Sequence, residues 1–227
     1  MKSHQELPAW LWLWFPMVII FLIITGYLVD PGVTRFLVGD EQGFIEPATV
    51  IILLPAVYFG FQAVLYNEKP IGFIIRMWIL LVTLACIYIA GEEISWGQQL
   101  FQWETPDFIS RINDQKETNI HNINSWFDQK PRLLLELWVF AGGILMPVWR
   151  LWRNRKYSSD NWQFWFWPSV TCLPTAILAI LVKMPERLDN YFNIYGIMYL
   201  RYSELQEFYF ALFLFIYLYS LKKRSSG

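Results

Sequence analysis

Long apolar runs separated by short polar connections dominate the pattern of this chain. Six of the runs come close to the roughly 20 residues that a helix needs to cross a bilayer. They predict transmembrane helices at about 9–29, 47–66, 71–100, 133–149, 162–182 and 203–221. Prolines inside these runs are tolerated in a membrane bundle. We therefore expect an all-α fold: a polytopic integral membrane protein in which residues 1–227 form a single transmembrane domain, a bundle of six transmembrane helices.

The composition agrees with this expectation. Hydrophobic residues make up 56% of the 227 residues and charged residues only 16%, whereas soluble domains average nearer 25% charged. A formal net charge of −1 excludes a strongly basic nucleic-acid binder. Cys86 and Cys172 both lie inside apolar runs, which excludes a disulfide framework. The expected partners are membrane lipids and no nucleic acid, with a homo-oligomer or a membrane protein partner as further options.

The distribution of lysine and arginine predicts the orientation in the membrane. With six helices, one side carries ten of the 18 basic residues, including Arg150, Arg153 and Lys222, but few acids. Because short cytoplasmic loops are enriched in lysine and arginine, this side should be cytoplasmic. The sequence thus predicts a bacterial inner-membrane protein whose N- and C-termini are cytoplasmic and whose long polar loop 101–132 is external, in the periplasm.

Two adjacent acids near the end of the third apolar run are the first chemical signal. Glu92 and Glu93 lie in the segment GEEISWGQQ, and a charged residue at the centre of a spanning helix costs roughly 2.5–3.5 kcal/mol. On a continuous helix, Glu92, Ser95 and Gln99 share one side and Glu93 lies on the neighbouring one. We therefore expect a polar wall that faces the bundle interior or the membrane boundary.

The external loop provides the second signal. If residues 117–121 are helical, Glu117 and His121 lie one turn apart, a spacing suited to a shared metal ion or an acid/base pair. Asn119 and Asn122 flank them. The ordinary interpretation remains open, in which the asparagines form turns and His121 is a hydrogen-bonded loop residue.

The start of the last apolar run provides the third signal. Glu204 and Glu207 are three residues apart on one helix face, and Arg201 precedes Glu204 by almost one turn. The alternative here is equally plausible: acids in a first turn complement the helix dipole, and Arg201 forms an ion pair with Glu204.

The predicted topology brings all three signals to the same outer boundary. We expect an acidic cavity with one imidazole, in which carboxylates perturb one another and His121 transfers protons. Glu92, Glu117 and His121 are the predicted catalytic residues. The predicted supporting residues are Glu93, Ser95, Gln99, Asn119, Asn122, Arg201, Glu204 and Glu207. A metal ion would be held by Glu92, Glu117, His121 and Glu204, and oxygen-rich ligands favour Mg²⁺, Ca²⁺ or Mn²⁺ as the divalent cation.

The segments GEEISWGQ and ETNIHN together resemble a signature of uncharacterised multipass bacterial membrane proteins. The resemblance covers about 30 residues, implies a multipass membrane fold and carries no activity. The chain departs from the ceramidase-like membrane hydrolases, because one histidine near the predicted site does not make their three-histidine zinc centre.

Three functions remain open from the sequence. The first is a membrane-embedded enzyme, such as a metal-dependent hydrolase or transferase acting on a lipid or lipid-linked substrate at the outer leaflet. The second is an ion or proton channel or transporter, because intramembrane acids often mark ion paths. The third is a binding or assembly subunit that uses the external loop, with its acids paired to arginines.

Overall fold

A computed structural model describes residues 7–30, 32, 37–38, 43–66, 71–113, 118–119, 125–155, 157–192 and 200–225. All regular structure within these ranges is helical, as the sequence predicted. The α-helices are α1 (Phe15–Val29), α2 (Ile45–Leu65), α3 (Phe73–Glu93), α4 (Gln98–Phe101), α5 (Asp107–Ser110), α6 (Ser125–Trp138), α7 (Met146–Trp152), α8 (Trp162–Phe166), α9 (Leu173–Leu181), α10 (Met184–Phe192) and α11 (Tyr202–Ser225).

Among the described residues, five helical stretches are long and apolar enough to cross a membrane. They are Trp10–Val29, Ile45–Leu65, Phe73–Glu93, Gln129–Trp152 and Trp162–Phe192. Many of their large apolar side chains are exposed, among them Phe21, Leu54 and Ile74. Exposed apolar area on this scale is characteristic of a surface that lies against lipid. The protein is therefore an integral membrane protein, and the predicted multipass architecture is confirmed at this level.

The sixth predicted helix is present as α11 but is not among the five candidate spans. Its tyrosines and the polar residues of its first turns lower its hydropathy. Most of its side chains are buried, including Phe208, Tyr209 and Tyr217. Helix α11 packs against α2, α3 and α9, and the Phe59 and Tyr219 rings stack with centroids 4.4 Å apart. A helix that is shielded from lipid in this way needs less hydropathy than its neighbours.

Two stretches of π-helix lie immediately before prolines. Trp10–Trp14 leads into α1, whose second residue is Pro16, and Val139–Leu145 joins α6 to α7, whose second residue is Pro147. A proline has no N–H to donate to the carbonyl four residues earlier. The wider hydrogen-bond register of the π turns accommodates this loss without ending the helix.

Close helix contacts occur where a glycine or another small residue meets a neighbouring element. A Cβ atom added at Gly60 of α2 would lie 2.1 Å from Thr83 Oγ1 of α3. A Cβ atom at Gly143 would lie 2.6 Å from Phe213 Cε2 and 2.7 Å from Ala176 Cβ. Small residues are used in this way in membrane bundles, because they let backbones approach closely.

The fifth candidate span is interrupted in its first half. Helix α8 ends at Phe166, and Trp167 is extended before a 3₁₀ turn leads into α9. The carbonyl groups released by this break accept hydrogen bonds from the buried Arg224 guanidinium: Phe164 O is one acceptor and Trp167 O, at 3.2 Å, is another. Non-helical backbone at this depth is tolerated because the protein satisfies its polar groups.

The third predicted helix, 71–100, ends earlier in the structure than the pattern suggested. Helix α3 stops at Glu93, and Ser95 and Trp96 have left-handed φ values of 47° and 55°. Gly97 follows with φ 102°. This left-handed turn redirects the chain into α4 and α5, so Glu93 is at a helix terminus and not in the middle of a helix.

Candidate functional site

Three carboxylates meet at one end of the bundle. Glu93 is the last residue of α3, and Glu204 and Glu207 lie on one face of the first turns of α11. One carboxylate oxygen from each residue lies within 4.8 Å of the other two, and all three side chains are half-buried. We call these three residues the acidic cluster. Within the described part of the chain, the acidic cluster is the one group of three or more histidine, cysteine, aspartate or glutamate side chains whose ligand atoms lie this close together.

Two arginines from other elements bind the acidic cluster. The Arg132 guanidinium of α6 forms an ion pair with Glu207. Arg201 Nη2 lies 3.0 Å from Glu204 Oε1, and Arg201 Nη1 lies 3.4 Å from Glu46 Oε1 at the start of α2. The site therefore draws charged groups from four helices and the residue preceding α11. Partly exposed ion pairs of this kind stabilise a fold only weakly. Another cation can therefore compete with the arginines for these carboxylates.

Glu92 does not join the cluster. It is buried and accepts a hydrogen bond from Trp96 Nε1 at 2.5 Å. The left-handed turn folds Trp96 back over α3, where its ring covers Gly91: a Cβ atom at Gly91 would lie 2.9 Å from the Trp96 ring. The two adjacent acids thus face different surroundings, and the supporting residue Glu93, not the predicted catalytic residue Glu92, meets Glu204.

The other predicted residues near this turn form a structural network. Asn119 Nδ2 donates to Ser95 Oγ at 3.2 Å, and both residues are buried. Gln99 is exposed, whereas its neighbour Gln98 makes the hydrogen bonds that hold the connection together. These contacts fasten the loop to the end of α3, close in sequence to Glu93.

Three predicted residues lie outside the described part of the chain: Glu117, His121 and Asn122. The imidazole contribution and the Glu117–His121 pair therefore remain predictions. Arg132 and Glu46 are not among the predicted site residues, because their contacts with Glu207 and Arg201 join parts of the chain that are far apart in sequence.

A second set of ion pairs at the same end of the bundle uses other residues. Lys183 Nζ lies 2.7 Å from Glu186 Oε2 and also donates to Ser203 Oγ. Arg187 Nη2 lies 2.6 Å from Glu136 Oε1. These contacts fasten α10 to the start of α11 and to α6, and they provide acids outside the cluster that can serve as controls.

The donor set of the acidic cluster is suited to a hard divalent cation. Carboxylate oxygens are the ligands that Mg²⁺, Ca²⁺ and Mn²⁺ prefer. With all groups ionised, Arg132 and Arg201 offset two of the three cluster charges, and Glu46 adds another negative charge. No protein-family model, curated protein or solved structure matches the chain.

Proposed function

We propose that the protein is a membrane-embedded enzyme that uses a divalent cation held by Glu93, Glu204 and Glu207. Its substrate would be a lipid or a lipid-linked molecule, and the reaction a hydrolysis or group transfer. The observation that carries this proposal is the meeting of three carboxylates from two helices within 4.8 Å at the end of the bundle. Keeping three acids together in a partly buried place is unfavourable unless a cation or a proton offsets their repulsion.

The spacing of the carboxylate oxygens supports a cation. Metal–oxygen distances of about 2.1 Å for Mg²⁺ and about 2.4 Å for Ca²⁺ put ligand oxygens roughly 3–5 Å apart around one ion. The limit of 4.8 Å between the cluster oxygens is compatible with this range. Such an ion would act as a Lewis acid or activate a bound water.

The arginines give the proposal a substrate class. Arg132 and Arg201 bind cluster carboxylates in the structure. If a cation takes over the charge of those carboxylates, the guanidinium groups become available for an anionic oxygen of the substrate. Guanidinium groups bind phosphate and carboxylate oxygens bidentately. A phosphate-bearing lipid headgroup therefore fits the site, with Glu117 and His121 as further proposed participants in proton transfer.

The proposed topology places this site at the outer leaflet of a bacterial inner membrane. In this arrangement α11 crosses as a sixth helix at the centre of the bundle. The end that carries Arg150, Arg153 and Lys222 is cytoplasmic, in line with the enrichment of basic residues in cytoplasmic loops. Glu93 and Glu204 then open towards the periplasm. Cysteine labelling of intact cells at position 30, beside the acidic end, and at position 153 tests this orientation.

The decisive experiment measures cation binding and lipid turnover in the same samples. Purified protein in nanodiscs is titrated calorimetrically with Mg²⁺, Ca²⁺ and Mn²⁺ and then incubated with a panel of phospholipids and lipid diphosphates, with mass spectrometry of the products. We expect Glu93→Gln to abolish both cation binding and turnover. Glu186→Gln is the matched control, because Glu186 pairs with Lys183 at the same end. Equal cation binding by the wild type and Glu93→Gln would refute the proposal.

A second candidate is a binding or assembly subunit, and the ion pairs themselves favour it. Arg132 and Arg201 each bind a cluster acid, and the Arg132–Glu207 and Arg201–Glu46 pairs join helices that are far apart in sequence. Charge pairs of this kind can specify one arrangement of helices without catalysing a reaction. A partner protein that co-purifies with the wild type but not with Arg132→Ala, in the absence of any lipid turnover, would select this function.

Conduction has less support. Beyond the acidic cluster, the described core of α11 consists mainly of buried aromatic and aliphatic side chains, including Tyr209, Phe213 and Tyr217. An ion path needs polar groups or water along its length. Liposome flux assays with Glu93→Gln test this alternative directly.

A further inference from the structure

The connection after α3 exposes several large apolar side chains and covers a group of polar ones. We call residues 98–112, which include α4 and α5, the 98–112 segment. The Gln98 amide lies on its inner side, where Nε2 donates to Trp103 O at 3.1 Å and to Thr105 Oγ1 at 2.7 Å. Gln98 Oε1 accepts from the Thr118 backbone N–H at 2.6 Å. The half-buried Gln98 amide thus joins three points of the connection.

More polar groups are sealed beneath the segment. Asn113 Nδ2 donates to Asn119 O at 2.9 Å and to Asn119 Oδ1 at 2.8 Å, and Asn119 in turn donates to Ser95 Oγ. All three side chains are buried. Their hydrogen bonds offset the cost of removing them from water, so the polar interior of this connection is satisfied by the protein.

Four large apolar side chains lie on the outer side of the segment. Leu100 is 67% exposed, Phe101 76% and Phe108 70%, and Ile112 is exposed as well. A loop whose surroundings are water gains stability by burying such side chains and exposing amides. Here the Asn113 and Asn119 amides are buried, while four large apolar side chains point outward beside the exposed Gln99 and Gln102. Such an arrangement is expected at a boundary between water and an apolar medium.

We propose that the 98–112 segment inserts into the membrane interface, with Leu100, Phe101, Phe108 and Ile112 at the boundary between headgroups and acyl chains. The exposed charged side chains of the segment, Glu104, Asp107 and Arg111, then lie at headgroup level. The connection that the sequence assigned to a polar external loop begins, on this proposal, as a membrane-surface element.

Continuity with the lipid-facing surface of α3 identifies the bilayer as the occupant. Leu84 and Ile87 are exposed on α3. Further along, the half-exposed Trp96 ring packs against Tyr88, with ring centroids 6.2 Å apart. The exposed apolar surface continues from this pair into the 98–112 segment. Aromatic residues such as Tyr88 and Trp96 are typical of the membrane–water interface.

Photocrosslinking from single positions tests the insertion in the otherwise natural chain. The photoreactive amino acid p-benzoylphenylalanine is placed at Phe101 or Phe108, at Phe21 as a lipid-facing control within α1, and at Glu104 as a polar control in the same segment. The protein is illuminated in phosphatidylethanolamine–phosphatidylglycerol nanodiscs, and adducts are identified by mass spectrometry. We expect lipid adducts at Phe101 and Phe108 to reach at least half the yield at Phe21, with several-fold less at Glu104.

Two results would overturn the proposal. One is the absence of lipid adducts at both phenylalanine positions while Phe21 is labelled. The other is crosslinking of Phe101 and Phe108 to a second copy of the chain or to another protein, which would make the segment a protein-binding surface. The proposal does not depend on the enzymatic function, because lipid adducts at Phe101 and Phe108 are expected even if Glu93→Gln leaves cation binding unchanged.

Discussion

Replacing Glu93 by glutamine should affect stability in opposite directions with and without cations. The substitution keeps the shape of the side chain and removes one of three neighbouring negative charges. Two unit charges 4.8 Å apart repel by about 3.5 kcal/mol at an effective dielectric constant of about 20. Attraction to Arg132 and Arg201, exposure to solvent and proton uptake offset most of this repulsion. We therefore expect Glu93→Gln to raise the free energy of unfolding by about 1–2 kcal/mol when a chelator is present.

Saturating Mg²⁺, Ca²⁺ or Mn²⁺ should reverse the order of stability of the wild type and Glu93→Gln. A cation that binds only the folded protein stabilises it by about 2.7 kcal/mol at a concentration 100 times its dissociation constant. Glu93→Gln lacks one of the three ligands and should lose most of this gain. In the presence of cation, the wild type should therefore be the more stable protein by roughly 1 kcal/mol.

Thermal unfolding in detergent micelles, with EDTA or with each cation, measures both free-energy differences. Glu186→Gln controls for the loss of a carboxylate at the same end of the bundle, and its ion pair with Lys183 should contribute less than about 1 kcal/mol under either condition. Destabilisation of Glu93→Gln in EDTA, or stabilisation of this variant by cations as large as that of the wild type, would refute the reasoning.

Three further substitutions test the packing that supports the site. Gly60→Ala should lower the free energy of unfolding by about 1–3 kcal/mol, because the new Cβ would lie 2.1 Å from Thr83 Oγ1; Thr83→Ala in the same chain should restore most of the loss in a double-mutant cycle. Tyr217→Phe should cost about 1–3 kcal/mol in chemical unfolding, because Trp78 Nε1 loses its acceptor at 2.9 Å. Asn119→Ala should accelerate hydrogen exchange at the backbone amides of Asn113 and Thr118 at least several-fold, and unchanged protection there would contradict the role given to its hydrogen bonds.

The apolar pattern was a good guide to the lipid-facing helices and a poorer one to the interior. Runs such as 9–29 and 47–66 correspond to helices with exposed apolar faces, because direct contact with lipid demands high hydropathy. Helix α11 needs less hydropathy because neighbouring helices cover it and keep it from direct contact with lipid. The break after α8 depends on Arg224, about 60 residues away, which binds the released carbonyl groups. No local pattern contains such a contact.

The candidate site shows the same limit at the level of single residues. The sequence named both Glu92 and Glu93, but which of the two acids enters the acidic cluster depends on the left-handed turn at Ser95 and Trp96. Because that turn ends α3 at Glu93 and folds Trp96 back, Glu92 gains an indole partner and Glu93 faces α11. A continuous helix, the simplest assumption from the sequence, gives no reason to choose between them.

The central position of α11 has a consequence for how the protein is made. The ribosome produces the five candidate spans of the described residues before α11, so they enter the bilayer while the surfaces that will later contact α11 are still uncovered. The acids of the cluster on α11 likewise reach Glu93 only at that stage. The inserted precursor must therefore wait in a loosely associated state, open to quality-control proteases, until its innermost segment emerges.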